Sequence, residues 1–320
     1  MSRIHRVHRI EVSEGSPEGT NSAYLLSDRG VVVDPGSSVD GAWERLVAGL
    51  SDAGLELADV SSVLVSHWHV DHAGLAPRLC EASGATLYMH EDDAAFVTDY
   101  ATARRERVQR DARRLATWGV PEETVEAVVE GDEPSPMPDA YPVETLVDGD
   151  TVADVEVVHT PGHTLGHAAF AVVGDGSSDG ALFVGDAVLP TYTPNVGGSD
   201  TRVDDPLGTY RETLFRLRAR AVASEFPEMA QPGHGSELSL TSRIDEILSH
   251  HETRTRRVRD CLEADGPLTP WQVATRLFGE MRGIHVKMGA GEAAAHLSAL
   301  VSTGRVDRID GVPLMYTTAR

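Results

Sequence analysis

The sequence predicts a layered α/β domain over residues 1–240, followed by a helical, winged-helix-like domain over residues 241–320. Three observations lead there. Short β-branched runs alternate with amphipathic stretches through the first part of the chain. Histidines and aspartates fall at the ends of those runs, beside glycines. From about residue 240 the pattern becomes three helical stretches and one hairpin. A chain of 320 residues is long enough for one large core and a smaller companion.

"NSAYLLSD" and "GVVVDPG" are apolar runs closed by turn residues, and Gly30 between them marks a hairpin. "DGAWERLVAGLSDAG" has helical period and stops near Gly54. "VSSVLVSH" is a β-branched strand, "GLAPRLCEAS" a helix and "ATLYMH" another strand. Residues 94–130 then read as a helical insert, with a long arginine-rich helix and a second helix from near Pro121. "EGDEPSPMPDAYPV" is a proline-rich loop. Strands resume with "VADVEVVH", "AAFAVVG" and "ALFVGD". The intervening "GDGSSDG" lacks the ligand spacing and closing glutamate of a calcium loop, so it reads as a hairpin turn. "SEFPEMAQPGHGS" supplies a last strand and loop.

In the tail, "SRIDEILSHHETRTRRVRDCLEA" is one long helix. "LTPWQVATRLFG" opens with a threonine cap and a proline in its first turn. "AGEAAAHLSALVSTG" is a third helix, and "RVDRIDGVPLMYTT" folds back around Asp310 and Gly311. The third helix has no arginine, lysine, asparagine or glutamine with which to read bases. It is therefore expected to pack or to mediate homodimerisation. The basic run "RTRRVR" at 254–259 lies on the preceding helix.

Fifty acidic against 28 basic residues give a net charge of −22, and Lys287 is the lone lysine. Such a shell repels polyanions and disfavours nucleic acid and anionic membrane as partners. The bias resembles that of salt-adapted proteins, whose surroundings screen the repulsion. Two cysteines, Cys80 and Cys261, make no disulfide framework. "MSRIHRVHRIEVSEG" carries no apolar signal core, and no run of 18 apolar residues occurs. The expectation is a cytoplasmic protein acting on a small molecule.

The chemistry concentrates in "SHWHVDH", where His67, His69, Asp71 and His72 fall within six positions. Placed at a strand end, His67 and His69 point the same way and can reach one cation. Asp71 and His72, past the end, can face a second. Three further segments end strands beside glycine with ligand-type residues: His163 in "TPGHTLGH", Asp186 in "ALFVGDAV" and His234 in "AQPGHGS". Neutral imidazole and carboxylate suit zinc, but also iron and manganese, and ligand type alone does not choose among them; zinc is the first expectation. His90, His159 and His167 are expected to pack or hydrogen-bond rather than ligate.

The succession H-x-H-x-D-H, P-G-H, G-D, P-G-H-G over about residues 10–240 resembles the metallo-β-lactamase superfamily. The resemblance implies an αββα sandwich with two divalent metal ions in a groove at the sheet edges. It assigns His67, His69 and His163 to the first ion. Asp71, His72 and His234 go to the second, with Asp186 bridging and Asp34 of "VVVDPG" supporting from beneath. Ser66 replaces a common threonine. His69 stands where the diiron flavoprotein branch has glutamate, which argues against oxygen reduction. Two metals lower the pKa of a shared water and polarise a carbonyl. Asp71 and Asp186 are then the catalytic carboxylates that fix the position of that water.

The expected reaction is hydrolysis of a thioester, ester or lactone, with a hydroxyacyl thioester foremost. The tail resembles those of two relatives in this superfamily, thioester hydrolases of the glyoxalase II type with altered C-termini and lactamase-like endoribonucleases, so metal-dependent RNA cleavage is one alternative. A persulfide dioxygenase with a single iron shares the H-x-H-x-D-H signature and is another. The loop after Asp186 is expected to line the groove, with Tyr192 and Tyr210 as candidate substrate contacts. Arg104, Arg107, Arg110 and Arg114 share roughly one helical face, which reads as a solvated face paired with local acids before it reads as a cationic lid.

Overall fold

A computed structural model describes residues 7–16, 19–172 and 180–319. The chain divides into two compact units. The first comprises residues 1–103, 134–194 and 213–245, and the second 104–133, 195–212 and 246–320.

Two six-stranded mixed sheets form the first unit. In one, β1 (Val7–Ser16), β2 (Gly19–Leu26) and β3 (Val31–Val33) are antiparallel neighbours. β4 (Ser62–Val65), β5 (Thr86–His90) and β6 (Glu144–Leu146) continue it in parallel. In the other, β7 (Thr151–Val152), β8 (Val155–His159), β9 (Ala168–Val172) and β10 (Ala181–Gly185) form an antiparallel meander. β11 (Met229–Pro232) joins β10 in parallel, and β12 (Leu238–Ser239) closes that edge.

Strand alternation explains the layering. Val31, Val33 and Leu64 face Val157, Phe170 and Phe183 across the inter-sheet core. Their neighbours Val32, Val63 and Val65 turn to the other side, against Leu46, Leu50 and Leu79. Those leucines come from α1 (Ala42–Asp52) and α3 (Ala76–Ser83). Strands covered on both faces read as continuous apolar runs, as "SVLV" does. On the other sheet, α7 (Pro206–Val222) lies along β8: Thr213 donates to the Pro161 carbonyl, and Arg216 to that of His159. The result is an αββα sandwich.

Some element boundaries differ from the sequence reading. "VADVEVVH" is not one strand, because Ala153 and Asp154 take positive φ and fold it into the β7–β8 hairpin. The turn expected in "GDGSSDG" lies outside the described residues except for Gly180, as do the first six residues of the chain.

The second unit holds most of α5 (Tyr100–Thr117), α6 (Glu122–Glu130), most of α8 (Leu240–Asp265), α9 (Pro270–Phe278) and α10 (Ile284–Ser302). A hairpin of β13 (Val306–Ile309) and β14 (Met315–Thr318) follows. Thr269 and Gln272 cap α9 reciprocally. Val258, Val273, Leu297 and Tyr316 bring three helices and the hairpin into one core. Leu115 and Trp118 of the insert pack with Val286 and Ala290 in a second core. α10 begins earlier than expected and so includes Lys287, whose ammonium is buried 3.0 Å from Asp111. Three of the four arginines on that face of α5 pair with acids: Arg104 and Arg107 with Asp132, and Arg114 with Asp204. No helix among the described residues is long and apolar enough to cross a membrane.

Candidate metal centre

The site is built in the first unit, where four chain segments leave the sheets. β3 ends in Asp34, which takes a left-handed φ of 50°, a conformation a non-glycine residue holds only when its surroundings enforce it. Its carboxylate accepts the Ser66 amide and hydroxyl, each at 2.7 Å, and the Nδ1 of His72 at 3.1 Å. Asp34 therefore fastens both ends of the histidine loop.

That loop differs from the expected strand end. β4 stops at Val65, and His67 and His69 lie in the bend before the single helical turn α2 (Val70–Ala73). The rings of His67 and His69 meet edge to face at 75°. His67 Nε2 and His69 Nδ1 come within 3.0 Å, and His163 Nε2 lies 3.1 Å from His69 Nδ1. On the other side, His234 Nε2 lies 3.2 Å from Asp71 Oδ2, and His72 Nε2 3.6 Å from the same oxygen. Asp186 spans both groups: its Oδ1 is 3.4 Å from His72 Nε2, and its Oδ2 is 3.4 Å from His234 Nε2 and 3.8 Å from His163 Nε2. All seven residues predicted as ligands are thus brought together.

The donor set fits metal ions. Ligands on a tetrahedral zinc at about 2.0–2.1 Å stand roughly 3.4 Å apart, the scale of these separations. His67, His69 and His163 can converge on one ion, and Asp71, His72 and His234 on another. His72 Nε2 and Asp186 Oδ1 are buried without a hydrogen-bond partner, a costly state that a cation would relieve.

Electrostatics divides the two groups. Burial, reinforced by neighbouring histidines, holds His67 far below the usual histidine range and His69 down to about 3. Burial also opposes charge on His72 and His234, but the carboxylates, Asp186 first, outweigh it. They raise His72 strongly and His234 to about 10. Burial likewise works against ionised Asp71 and Asp186, yet His72 and His234 hold both well below the carboxylate range. The first group offers neutral lone pairs. In the second, the ionised Asp71 and Asp186 hold protons on His72 and His234, and a cation entering there would take the place of those protons.

Several supporting residues carry no motif. Asn21 donates to the carbonyl and Oδ2 of Asp71, and is itself held by Ser13. Asp93, fully buried, accepts the Trp68 amide, the Thr164 hydroxyl at 2.7 Å and the Gly166 amide at 3.0 Å, joining two ligand loops. His167 accepts the Asp186 amide on Nε2 and meets Thr160 through Nδ1. Gly166 and Gly233 are sites of close approach: a Cβ on Gly166 would strike Asp93, and one on Gly233 would strike Asp186 and His72. His90 and His159 stack at 4.0 Å with planes 11° apart. Parallel rings cannot both direct an in-plane lone pair at one ion, so this pair is a packing contact.

The two tyrosines differ. Tyr192 is 52% exposed, on a segment whose Leu189, Thr191 and Tyr192 carbonyls accept from Arg243. Tyr210 has no exposed surface, and its ring lies 5.6 Å from that of His251 in the second unit. Its full burial makes it a packing residue, which corrects the expectation of a substrate contact.

Residues 16–224 match the family model described as the metallo-beta-lactamase superfamily. A metallo-beta-lactamase family protein from Thermus thermophilus superposes with a TM-score of 0.77 at 29% identity, covering 98% of each chain. The lactamase-like protein aptB of Emericella nidulans is 25% identical over 293 residues, 86% of this chain and 74% of its own. An Aspergillus fumigatus protein named atrochrysone carboxyl ACP thioesterase is 25% identical over 291 residues, 85% of this chain and 74% of its own.

Proposed function

The chain belongs to the metallo-beta-lactamase superfamily, and from that premise we propose that it is a dinuclear metal-dependent hydrolase of small acyl compounds, thioesters first. One observation carries the reading: two triads of donor atoms, His67/His69/His163 and Asp71/His72/His234, face each other across Asp186. We assign the first triad to one ion, the second to another and Asp186 to both, with zinc as the first choice of metal.

Divalent ions held by these residues would supply an activated water at neutral pH and polarise the carbonyl under attack. The protein's part is to hold that arrangement. Asp34 orients His72 by accepting a hydrogen bond from its Nδ1–H, which leaves Nε2 to face a metal. Asn21 fixes the Asp71 carboxylate and His167 the Asp186 backbone. Tyr192, exposed on the segment clamped by Arg243, is the proposed substrate contact. The choice of thioester draws on the Aspergillus fumigatus relative, whose name specifies thioester hydrolysis. We read α8, α9, α10 and the terminal hairpin as a winged-helix-like domain used for packing, since Lys287 of α10 is buried on Asp111.

The test is metal analysis of the purified protein, followed by turnover of a hydroxyacyl thioester, a lactone, single-stranded RNA and a persulfide. Two equivalents of metal and thioester turnover are expected. RNA cleavage or persulfide oxidation without thioester turnover would overturn the assignment. His69→Ala should abolish turnover while leaving the unfolding midpoint within a few degrees.

A further inference from the structure

The second unit contains an arginine-lined recess of about 340 Å³, walled by Arg211, Arg256, Arg259, Arg305, His251 and Glu252. The volume falls at the lower end of small-molecule sites and equals roughly ten waters, more than a bare oxyanion fills. Carboxylates outnumber cationic side chains in this protein 50 to 28. Even so, neither Arg256 nor Arg305 pairs with a carboxylate among the described residues: Arg256 donates to the Thr253 hydroxyl, and the Arg305 guanidinium has no partner there. Arg259 is shared with Glu263 at 3.0 Å. Glu252 is the one carboxylate on the wall.

A second observation concerns a residue on the wall of the same recess. His251 is 2% exposed, and its Nε2 is buried with no partner. A relay of hydrogen bonds fixes its tautomer. Thr255 donates its hydroxyl to the His251 carbonyl, so its oxygen accepts from His296 Nδ1 at 2.7 Å. His296 Nε2 is then an acceptor, taking the His251 Nδ1 proton at 3.4 Å. The remaining His251 Nε2 is a bare lone pair in need of a donor.

We propose that this recess binds the phosphate group of a small organic phosphomonoester, with the arginines taking its charge and His251 Nε2 accepting a ligand hydroxyl. Guanidinium groups suit phosphate through paired donors. The monoanion's P–O–H, or a neighbouring sugar hydroxyl, supplies the donor the histidine lacks. The net charge of −22 makes an extended polyanion an unfavourable occupant. The inference is independent of the metal centre.

The test measures binding of adenosine 5′-monophosphate, adenosine and inorganic phosphate to the full chain by calorimetry and thermal shift. Adenosine monophosphate is expected to bind and raise Tm by several degrees, and adenosine not to bind. The exposed-surface variant Arg256→Gln/Arg305→Gln should weaken binding at least tenfold, whereas His69→Ala should retain it. Binding of inorganic phosphate with the same loss in the variant supports the oxyanion site and identifies free phosphate as a sufficient ligand. Absence of binding by either phosphate at millimolar concentration, or undiminished binding in the double variant, would overturn the proposal. So would tighter binding of an RNA without terminal phosphate that the same variant abolishes, since that assigns the surface to nucleic acid.

Discussion

His167 Nε2 accepts the backbone amide of Asp186 at 3.0 Å, while its Nδ1 lies 2.7 Å from the Thr160 hydroxyl. Burial, aided by His163, holds the ring neutral, so the acceptor nitrogen is always available to that amide. The carboxylate that faces both donor triads is thus set by a histidine that is not itself in either.

His167→Ala is therefore expected to leave the Asp186 amide buried and unpaired, at a cost of about 1–3 kcal/mol. Residues that orient ligands typically change metal affinity by roughly 10–100-fold. A chelator titration should show metal retention at least tenfold weaker than in wild type. Unchanged retention would remove His167 from the positioning role.

Asp93 offers a graded comparison. Its carboxylate accepts two amides and the Thr164 hydroxyl. Asp93→Ala strands all three donors and should lower stability by about 3 kcal/mol or more. Asp93→Asn keeps one acceptor oxygen and should lose less. Urea denaturation of the pair decides the matter, and equal losses would show that the single oxygen kept by the asparagine satisfies none of the three donors.

The contrast between these residues and the proposed ligands explains what was legible in the sequence. H-x-H-x-D-H, P-G-H and P-G-H-G announce themselves because ligand chemistry crowds histidine and aspartate beside glycine at fixed spacing. The apolar runs likewise marked most strands of both sheets, but not β1, β6 or β12 at their edges. Asn21 and Asp93 have no local signature, because their partners Asp71 and Thr164 lie 50 and 71 residues away. The insert's helices show in its periodicity. That Trp118 packs with Val286 does not, since periodicity gives a buried face but never its partner. The placement of His67 and His69 past the strand end was equally hidden, because a bend and a pleat can present two histidines alike.

Gly233→Ala tests how closely the site is packed. The added methyl would collide with Asp186 and with His72, and neither can withdraw without leaving the cluster. Metal content after dialysis is expected to fall well below that of wild type, with Tm lowered by several degrees. Full metal content would show that the loop carrying His234 yields more readily than the geometry implies.

The charge of −22 predicts stabilisation by salt. Raising sodium chloride from ~10 mM to ~1 M contracts the screening length from about 30 to 3 Å, which removes most self-repulsion. The midpoint should rise by several degrees. Chloride separates this from the preferential exclusion that sulfate would add. A flat or falling midpoint would show that local ion pairs such as Arg107 with Asp132 already balance the surface.

Acid should destabilise the protein through His251 and His296. Burial, then His250, Arg254 and Arg211, holds His251 down to about 3, and burial with His251 beside it holds His296 well below the usual range. Tyr210 and Thr255 are the neutral groups against the pair. Unfolded, each histidine titrates near 6.5. Between pH 6.5 and about 3 the unfolded chain therefore binds a proton at His251 that the folded chain refuses, so stability rises with pH in that window. The contribution is complete above pH 6.5 and is lost as pH falls, at up to about 1.4 kcal/mol per pH unit per histidine. Metal-free His67 and His69 act in the same direction, so the decisive measurement is a difference. Urea denaturation of wild type and His251→Gln at pH 7, 5.5 and 4 should give a shallower acid slope for the variant. His296→Gln serves if the first variant does not fold. Parallel slopes for both would place the acid sensitivity elsewhere.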